Sequence, residues 1–241
     1  MESRLQVEIW SDVVCPWCYI GKRRFESALA RFEHRDQIEV TWRSFELNPR
    51  ASTEEEGGLA ERLAAKYGMT LEQAKAANAR VAAAAAGEGL DFHLDVARPG
   101  NTFDAHRLIH LAKERGVQAQ AKERLMAAYF NEGRRIGDPE TLVELIAEVG
   151  VGSSEAREAL ETGAYGAEVR AEEREAAELG ISGVPFFVLD RRYGVSGAQP
   201  PELMLQALQQ AWSEAHPITL VSPAAPAANE EPSCEDGSCA I

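Results

Sequence analysis

Residues 5–32 read LQVEIWSDVVCPWCYIGKRRFESALARF, and the succession of patterns within them decides the fold. Leu5, Val7 and Ile9, then Val13 and Val14, give strand character that leads into Cys15. A helical pattern then begins. Pro16 suits a first helical position, because its missing N–H would have no intrahelical partner there. Phe25, Ala28, Leu29 and Phe32 recur at the spacing of one helix face. Cys15 and Cys18 therefore sit where a strand hands over to a helix N-terminus. The unpaired N–H groups and the helix dipole favour an anion at that place. A thiolate, the reactive form of cysteine, is such an anion. The two intervening residues let the sulfurs close a small disulfide ring without unwinding the helix. This arrangement reads as a redox dithiol.

Working outward, residues 38–47 (IEVTWRSFEL) alternate apolar and polar side chains, so Ile38, Val40 and Trp42 predict a second strand that Asn48-Pro49-Arg50 ends. Strand, helix and strand over residues 5–47 make a βαβ unit with a parallel pair. Residues 51–179 are helical in pattern throughout. Thr70 and Gln73 match a capping box at the start of an alanine-rich run to Ala86. Asn101-Thr102 and Asp138-Pro139-Glu140 mark two further helix starts. Strand character returns at residues 184–190, a turn follows, and Val195-Ser196 pairs back as a hairpin. Pro200-Pro201-Glu202 opens a last helix through Leu203, Ala207, Leu208 and Trp212. The reading is an α/β chain, βαβ…ββα, with a thioredoxin-like fold and a large all-helical insertion. Residues 1–50 and 180–215 form the thioredoxin-like domain and residues 51–179 the insertion domain. Residues 216–241 are expected to be a flexible C-terminal tail with a second cysteine pair.

Composition narrows the function classes. Hydrophobic content of 45% is that of a globular protein. The 39 acids outnumber the 25 bases for a net charge of −14. That disfavours nucleic acid and anionic membrane as partners, since both need basic patches. Most of the acid falls in helical stretches and reads as solvated surface. No signal-peptide pattern precedes the first strand, and no window approaches the roughly 18 apolar residues of a membrane span. The expected location is the cytoplasm, where paired cysteines point to exchange chemistry or metal binding more than to structural bridges.

The segments SDVVCPWCYIGK, NTFDAHRL and GISGVPFFV, in this order around a large helical insertion, resemble the DsbA-like family, with details like its FrnE-type branch. The resemblance spans residues 5 to about 215 and implies a thiol–disulfide oxidoreductase or disulfide isomerase acting on protein or peptide substrates. It implies that Cys15 is the exposed nucleophile and Cys18 the more buried resolving thiol. It also implies that Val184 and Pro185 face the dithiol across a cis peptide bond and offer backbone hydrogen bonds to an extended substrate. No cofactor is implied, and glutathione is the candidate redox partner. Two departures matter: the dipeptide between the cysteines is Pro-Trp, not the Pro-His of strongly oxidising members, so a redox potential does not carry over, and the expected lack of a signal peptide separates the chain from the periplasmic oxidases.

Competing readings stand beside these. Cys15 and Cys18 as half of a zinc site would need a second pair close by, yet the other cysteines lie at the far end of the chain. Cys234 and Cys239 read as an auxiliary redox pair, ahead of incidental thiols or a soft-metal chelate. The stretch from Pro217 to Cys234 gives a random-coil reach of roughly 20–25 Å, enough to cross a small domain. Glu231, Glu235 and Asp236 beside them oppose thiolate formation, which suits a disulfide acceptor better than a first nucleophile. His106 and His110, four apart on one helix, read as plain surface histidines rather than metal ligands, and no metal is expected. Asn101 and His106 are groove candidates from the resemblance. Trp17 is either a substrate contact or a cover over the helix start, and Phe186 and Phe187 read as core. Two other functions stay open: a glutathione-dependent enzyme on small molecules like the kappa-type transferases, which carry serine in place of Cys15, and a chaperone or thiol metal-binding protein.

Overall fold

The computed structural model describes residues 4–53 and 57–217. Strand β1 (Leu5–Ser11) leads into helix α1 (Pro16–Ala30), and a single 3-10 turn (Arg35–Gln37) delivers the chain to β2 (Ile38–Ser44). Among the described residues seven helices follow before the next strand: α2 (Leu59–Tyr67), α3 (Leu71–Ala86), α4 (Phe103–Glu114), α5 (Gln118–Phe130), α6 (Pro139–Ala147), α7 (Ser153–Thr162) and α8 (Gly166–Glu178). Strands β3 (Phe186–Leu189) and β4 (Tyr193–Ser196) and helix α9 (Pro201–Ala215) close the described chain. The sheet order is β2-β1-β3-β4, with β1 parallel to β2 and antiparallel to β3. The sheet therefore takes strands from both sides of the helical stretch, as the thioredoxin-like reading requires.

The alternation in β1 decides which helices lie on which face. Leu5, Val7 and Ile9 pack with Phe25 and Ala28 of α1 and with Met204 and Leu208 of α9. Trp10 points the other way and packs with Ala176 of α8, Ile181 and Val188. The Trp10 indole Nε1 also donates to the Glu172 carbonyl of α8 at 3.0 Å. A third apolar cluster runs from Val13, Cys18, Tyr19 and Ile20 into α4, α5 and α6. The front of α1 thus belongs to the same core as the helical block.

Two local expectations change. The first strand stops at Ser11 instead of running to Val14. The Asp12 carbonyl accepts from the Cys15 amide at 3.3 Å and its carboxylate from the Leu47 amide at 2.7 Å, which bends residues 12–14 into a turn. Thr102 occupies the cap position of α4 without a side-chain bond; Asn101 Oδ1 accepts from the Phe103 amide instead, at 2.8 Å. The Thr70–Gln73 capping box forms as read. Among the described residues no helix is long and apolar enough to cross a membrane.

Candidate active site

Cys15 is the N-cap of α1, in extended conformation, and Pro16 takes the first helical position. Cys18 lies one turn inward, and both thiols are free. The Val184–Pro185 peptide bond is cis, and the Cys15 thiol donates to the Val184 carbonyl at 3.5 Å. Pro185 can come this close because residue 21 is glycine. A Cβ there would stand 2.9 Å from Pro185 Cγ and 3.4 Å from Ala198 Cβ.

The expectation of an exposed Cys15 is corrected: the residue is only 4% exposed, and Cys18 is 1% exposed. The Val184–Pro185 segment and the helical block close over the helix start. Cys15 opens instead into a cavity of about 790 Å³. Cys15, Trp17 and Val184 meet Leu63, Val81 and Tyr129 of the helical block around it. Trp17 is 44% exposed on this rim. Cys18 is absent from the lining.

Behind the dithiol lies a buried set of charges that the sequence reading missed. Asp12, His106 and Lys122 are each at most 1% exposed. Lys122 donates to the Ser11 carbonyl at 3.0 Å. His106 Nε2 stands 3.4 Å from Asp12 Oδ1, close enough for charge coupling but without hydrogen-bond alignment. Burial pushes the Cys18 thiol well up, and the neighbouring Cys15 adds to this; Lys122 and a backbone hydrogen bond from Asp12 oppose it. Burial brings Lys122 down to about 8, against the pull of Cys18 and Asp12. Burial alone would raise Asp12, but His106, the Leu47 amide and Lys122 outweigh it and hold the carboxyl below its ordinary value. Burial lowers His106, partly offset by Asp12. At neutral pH the set is a buried carboxylate and ammonium with a neutral imidazole between the helical block and the turn. The sequence carried one signal for it: Lys122 falls four residues after Gln118 and three before Leu125, on the buried stripe of α5.

Other expectations are also corrected. His106 and His110 are buried, not surface residues. His110 Nε2 approaches Glu172 Oε2 at 3.1 Å and Ser44 Oγ at 3.2 Å. Not all the acid is solvated surface, since Glu8, Asp12, Glu46 and Glu172 are buried. Asn101 is engaged with the Phe103 amide and the Ala51 carbonyl and does not line the cavity. Phe187 is core and Phe186 partly so. Cys234 and Cys239 lie outside the described residues. Among the described residues no cluster of three or more His, Cys, Asp or Glu side chains is placed to hold a metal.

Comparison with known proteins adds four findings. The family model of the DSBA-like thioredoxin domain matches residues 6–209. The crystal structure of a probable DsbA oxidoreductase from Streptomyces coelicolor is 52% identical, covers 90% of this chain and 94% of its own, and superposes with a TM-score of 0.85. The Bacillus subtilis protein YwbO is 30% identical over 186 residues, 77% of this chain and 86% of YwbO. The fold is also that of the cytosolic disulfide reductase DsbM from Pseudomonas aeruginosa, solved with GSH, at 21% identity, a TM-score of 0.60 and coverage of 86% and 98%.

Proposed function

The chain belongs to the DSBA-like thioredoxin-domain family, and on that premise we propose that it is a cytoplasmic thiol–disulfide oxidoreductase and isomerase acting on protein and peptide disulfides. The observation that carries this reading is the Cys15 thiol at the α1 N-terminus, held against the Val184 carbonyl and open to a cavity, with Cys18 buried behind it. The Cys15 thiolate attacks one sulfur of the substrate disulfide. That S–S bond breaks, the second substrate sulfur leaves as a thiolate, and Cys15 is joined to the first in a mixed disulfide. Cys18 then loses its proton and attacks Cys15 Sγ, which releases the first substrate sulfur and leaves the Cys15–Cys18 disulfide. The raised Cys18 thiol slows this second step, because exchange rate follows the thiolate fraction. A long-lived mixed disulfide gives the substrate's own thiols time to attack, which is isomerisation.

Trp17 and Val184 at the cavity rim are the substrate contacts in this reading, and Pro185 fixes Val184 against Cys15. The pair Cys234/Cys239 is proposed as an auxiliary dithiol that exchanges with Cys15/Cys18. Insulin reduction and refolding of a scrambled disulfide substrate test these roles together. Cys15→Ser is expected to abolish both activities. Cys18→Ser should accumulate mixed disulfides, and Cys234→Ser with Cys239→Ser should lower refolding alone. Insulin reduction that survives Cys15→Ser overturns the reading, and unchanged refolding in the tail variant removes the auxiliary pair from it.

A further inference from the structure

We propose that Arg24 is a positioning residue that sets the width of the cavity over Cys15, and with it the grip on a protein disulfide. One nitrogen of its guanidinium holds the end of α3, and another holds the loop that carries the Val184–Pro185 segment. This rests on the oxidoreductase reading above and names what places the substrate walls of the same site.

The walls come from elements far apart in the chain. Ala77, Asn78 and Val81 of α3 line the cavity, and so does Val184. Arg24 lies on α1, the helix that begins at the dithiol.

The first arm reaches α3. Arg24 Nε donates to Glu88 Oε1 at 2.6 Å. Glu88 follows Gly87, the C-cap of α3. Its amide donates to the Ala85 carbonyl at 2.9 Å, and the Leu90 amide donates to the same carbonyl at 3.0 Å. Ala85 and Leu90 are buried, so the backbone of Glu88 is fixed to the last turn of α3.

The second arm reaches the loop after β4. Arg24 Nη1 donates to the Ala198 carbonyl at 2.6 Å. The preceding Gly197 amide donates to the Pro185 carbonyl at 2.8 Å. Ala198 and Pro185 both seat on Gly21, where an added Cβ would stand 3.4 Å from Ala198 Cβ and 2.9 Å from Pro185 Cγ. One residue further back, the Val184 carbonyl accepts from the Cys15 thiol.

A guanidinium is a planar, rigid fork of donors, so it fixes two acceptors relative to each other in a way that an ammonium does not. Both bonds are charge-assisted. The Arg24 and Glu88 side chains are 22% and 21% exposed, so the pair is less screened than one in open solvent. The neighbouring Arg23 is engaged elsewhere, with Glu26 and Glu123. An extended protein substrate has to meet α3 and Val184 together. A small thiol has only to reach Cys15 Sγ. Loss of the fork therefore weakens the first encounter and spares the second.

The test compares steady-state insulin reduction with stopped-flow reduction of the oxidised full chain by dithiothreitol. Arg24→Met keeps the apolar stem and removes the fork. It is expected to raise the KM for insulin about fivefold and to keep kcat within about twofold, the mark of lost uniform binding. The dithiothreitol rate and the Cys15–Cys18 reduction potential should not move. Arg24→Lys keeps the charge without the fork and should leave KM raised about threefold. Glu88→Gln changes a partly exposed position, keeps the fold, and should raise KM about twofold. Combined with Arg24→Met it should add nothing further, because both act through one guanidinium. An insulin KM unmoved in Arg24→Met and Glu88→Gln overturns the positioning role, and if Arg24→Met does not fold, Glu88→Gln decides. A dithiothreitol rate that falls in step with insulin turnover also overturns it. Either result leaves the oxidoreductase reading standing, whereas a wild-type chain that reduces no insulin overturns both.

Discussion

At the residue scale the decisive side chain is Lys122. A fully buried ammonium is expensive unless its charge is answered; here it donates to the Ser11 carbonyl at 3.0 Å, and Cys18 and then Asp12 support its charge electrostatically. Its cation also opposes the effect of burial on Cys18. Because a nearby cation stabilises the thiolate form, it raises the reduction potential of the pair. Lys122→Met is therefore expected to make the couple more reducing, by on the order of 30 mV, the equivalent of about tenfold in the exchange constant. It should also destabilise the protein, because the buried Ser11 carbonyl loses its donor and Asp12 loses one of the groups that hold it ionised. Lys122→Met combined with Asp12→Asn should recover part of the stability but not the potential. Equilibration against glutathione buffers, together with thermal melts, separates the two effects. A potential unchanged in a folded variant would rule out the role given to Lys122.

At the element scale the contact that matters is α1 against the Val184–Pro185 segment. Glycine within a helix ordinarily costs about 1 kcal/mol relative to alanine, so Gly21→Ala would stabilise an isolated α1. In the fold a Cβ at this position meets the Pro185 ring at 2.9 Å. A proline ring yields little, so the substitution is expected to cost about 1–3 kcal/mol. It should also shift Val184 from Cys15 and slow insulin reduction severalfold. A higher melting temperature with unchanged activity would show that the segment moves freely and that its closeness to α1 is unimportant. The dithiol, the parallel strand pair and most helix boundaries were legible in residues 5–215, because each follows from local periodicity, capping or proline chemistry. The closure over Cys15 was not, since it depends on where α2, α3 and the 184–185 segment meet.

At the scale of the whole molecule, Glu172 ties the helical block to the sheet. Its carboxylate accepts from the Ser44 amide at 2.6 Å and from Arg43 Nη1 at 2.9 Å, and it faces His110 of α4. Burial alone would raise it, but His110, Ser44 and Arg43 bring it from 4.5 down to about 2. The unfolded chain binds this proton at a higher pH than the folded one. The stabilisation is thus complete above pH 4.5 and is lost as pH falls toward 2. On the order of 2–3 kcal/mol should disappear over that interval. Glu172→Gln is expected to lower stability at neutral pH and to flatten the acid limb of denaturant-derived stability against pH. Parallel acid limbs in the two proteins would contradict the role of Glu172.

The sequence by itself determined the cysteine pair at a strand-to-helix junction, the βαβ…ββα order and the helical character of residues 51–179. These rest on interactions between residues close in the chain. Tertiary structure alone decided that Cys15 is buried, that His106 and His110 are interior, and that Asp12 and Lys122 are buried close to one another beside the Ser11–Asp12 turn. Burial and charge pairing are set by what elements distant in sequence bring together. Periodicity shows that α5 has a buried face, but only its packing against the Ser11–Asp12 turn shows that the lysine on that face lies behind Cys18.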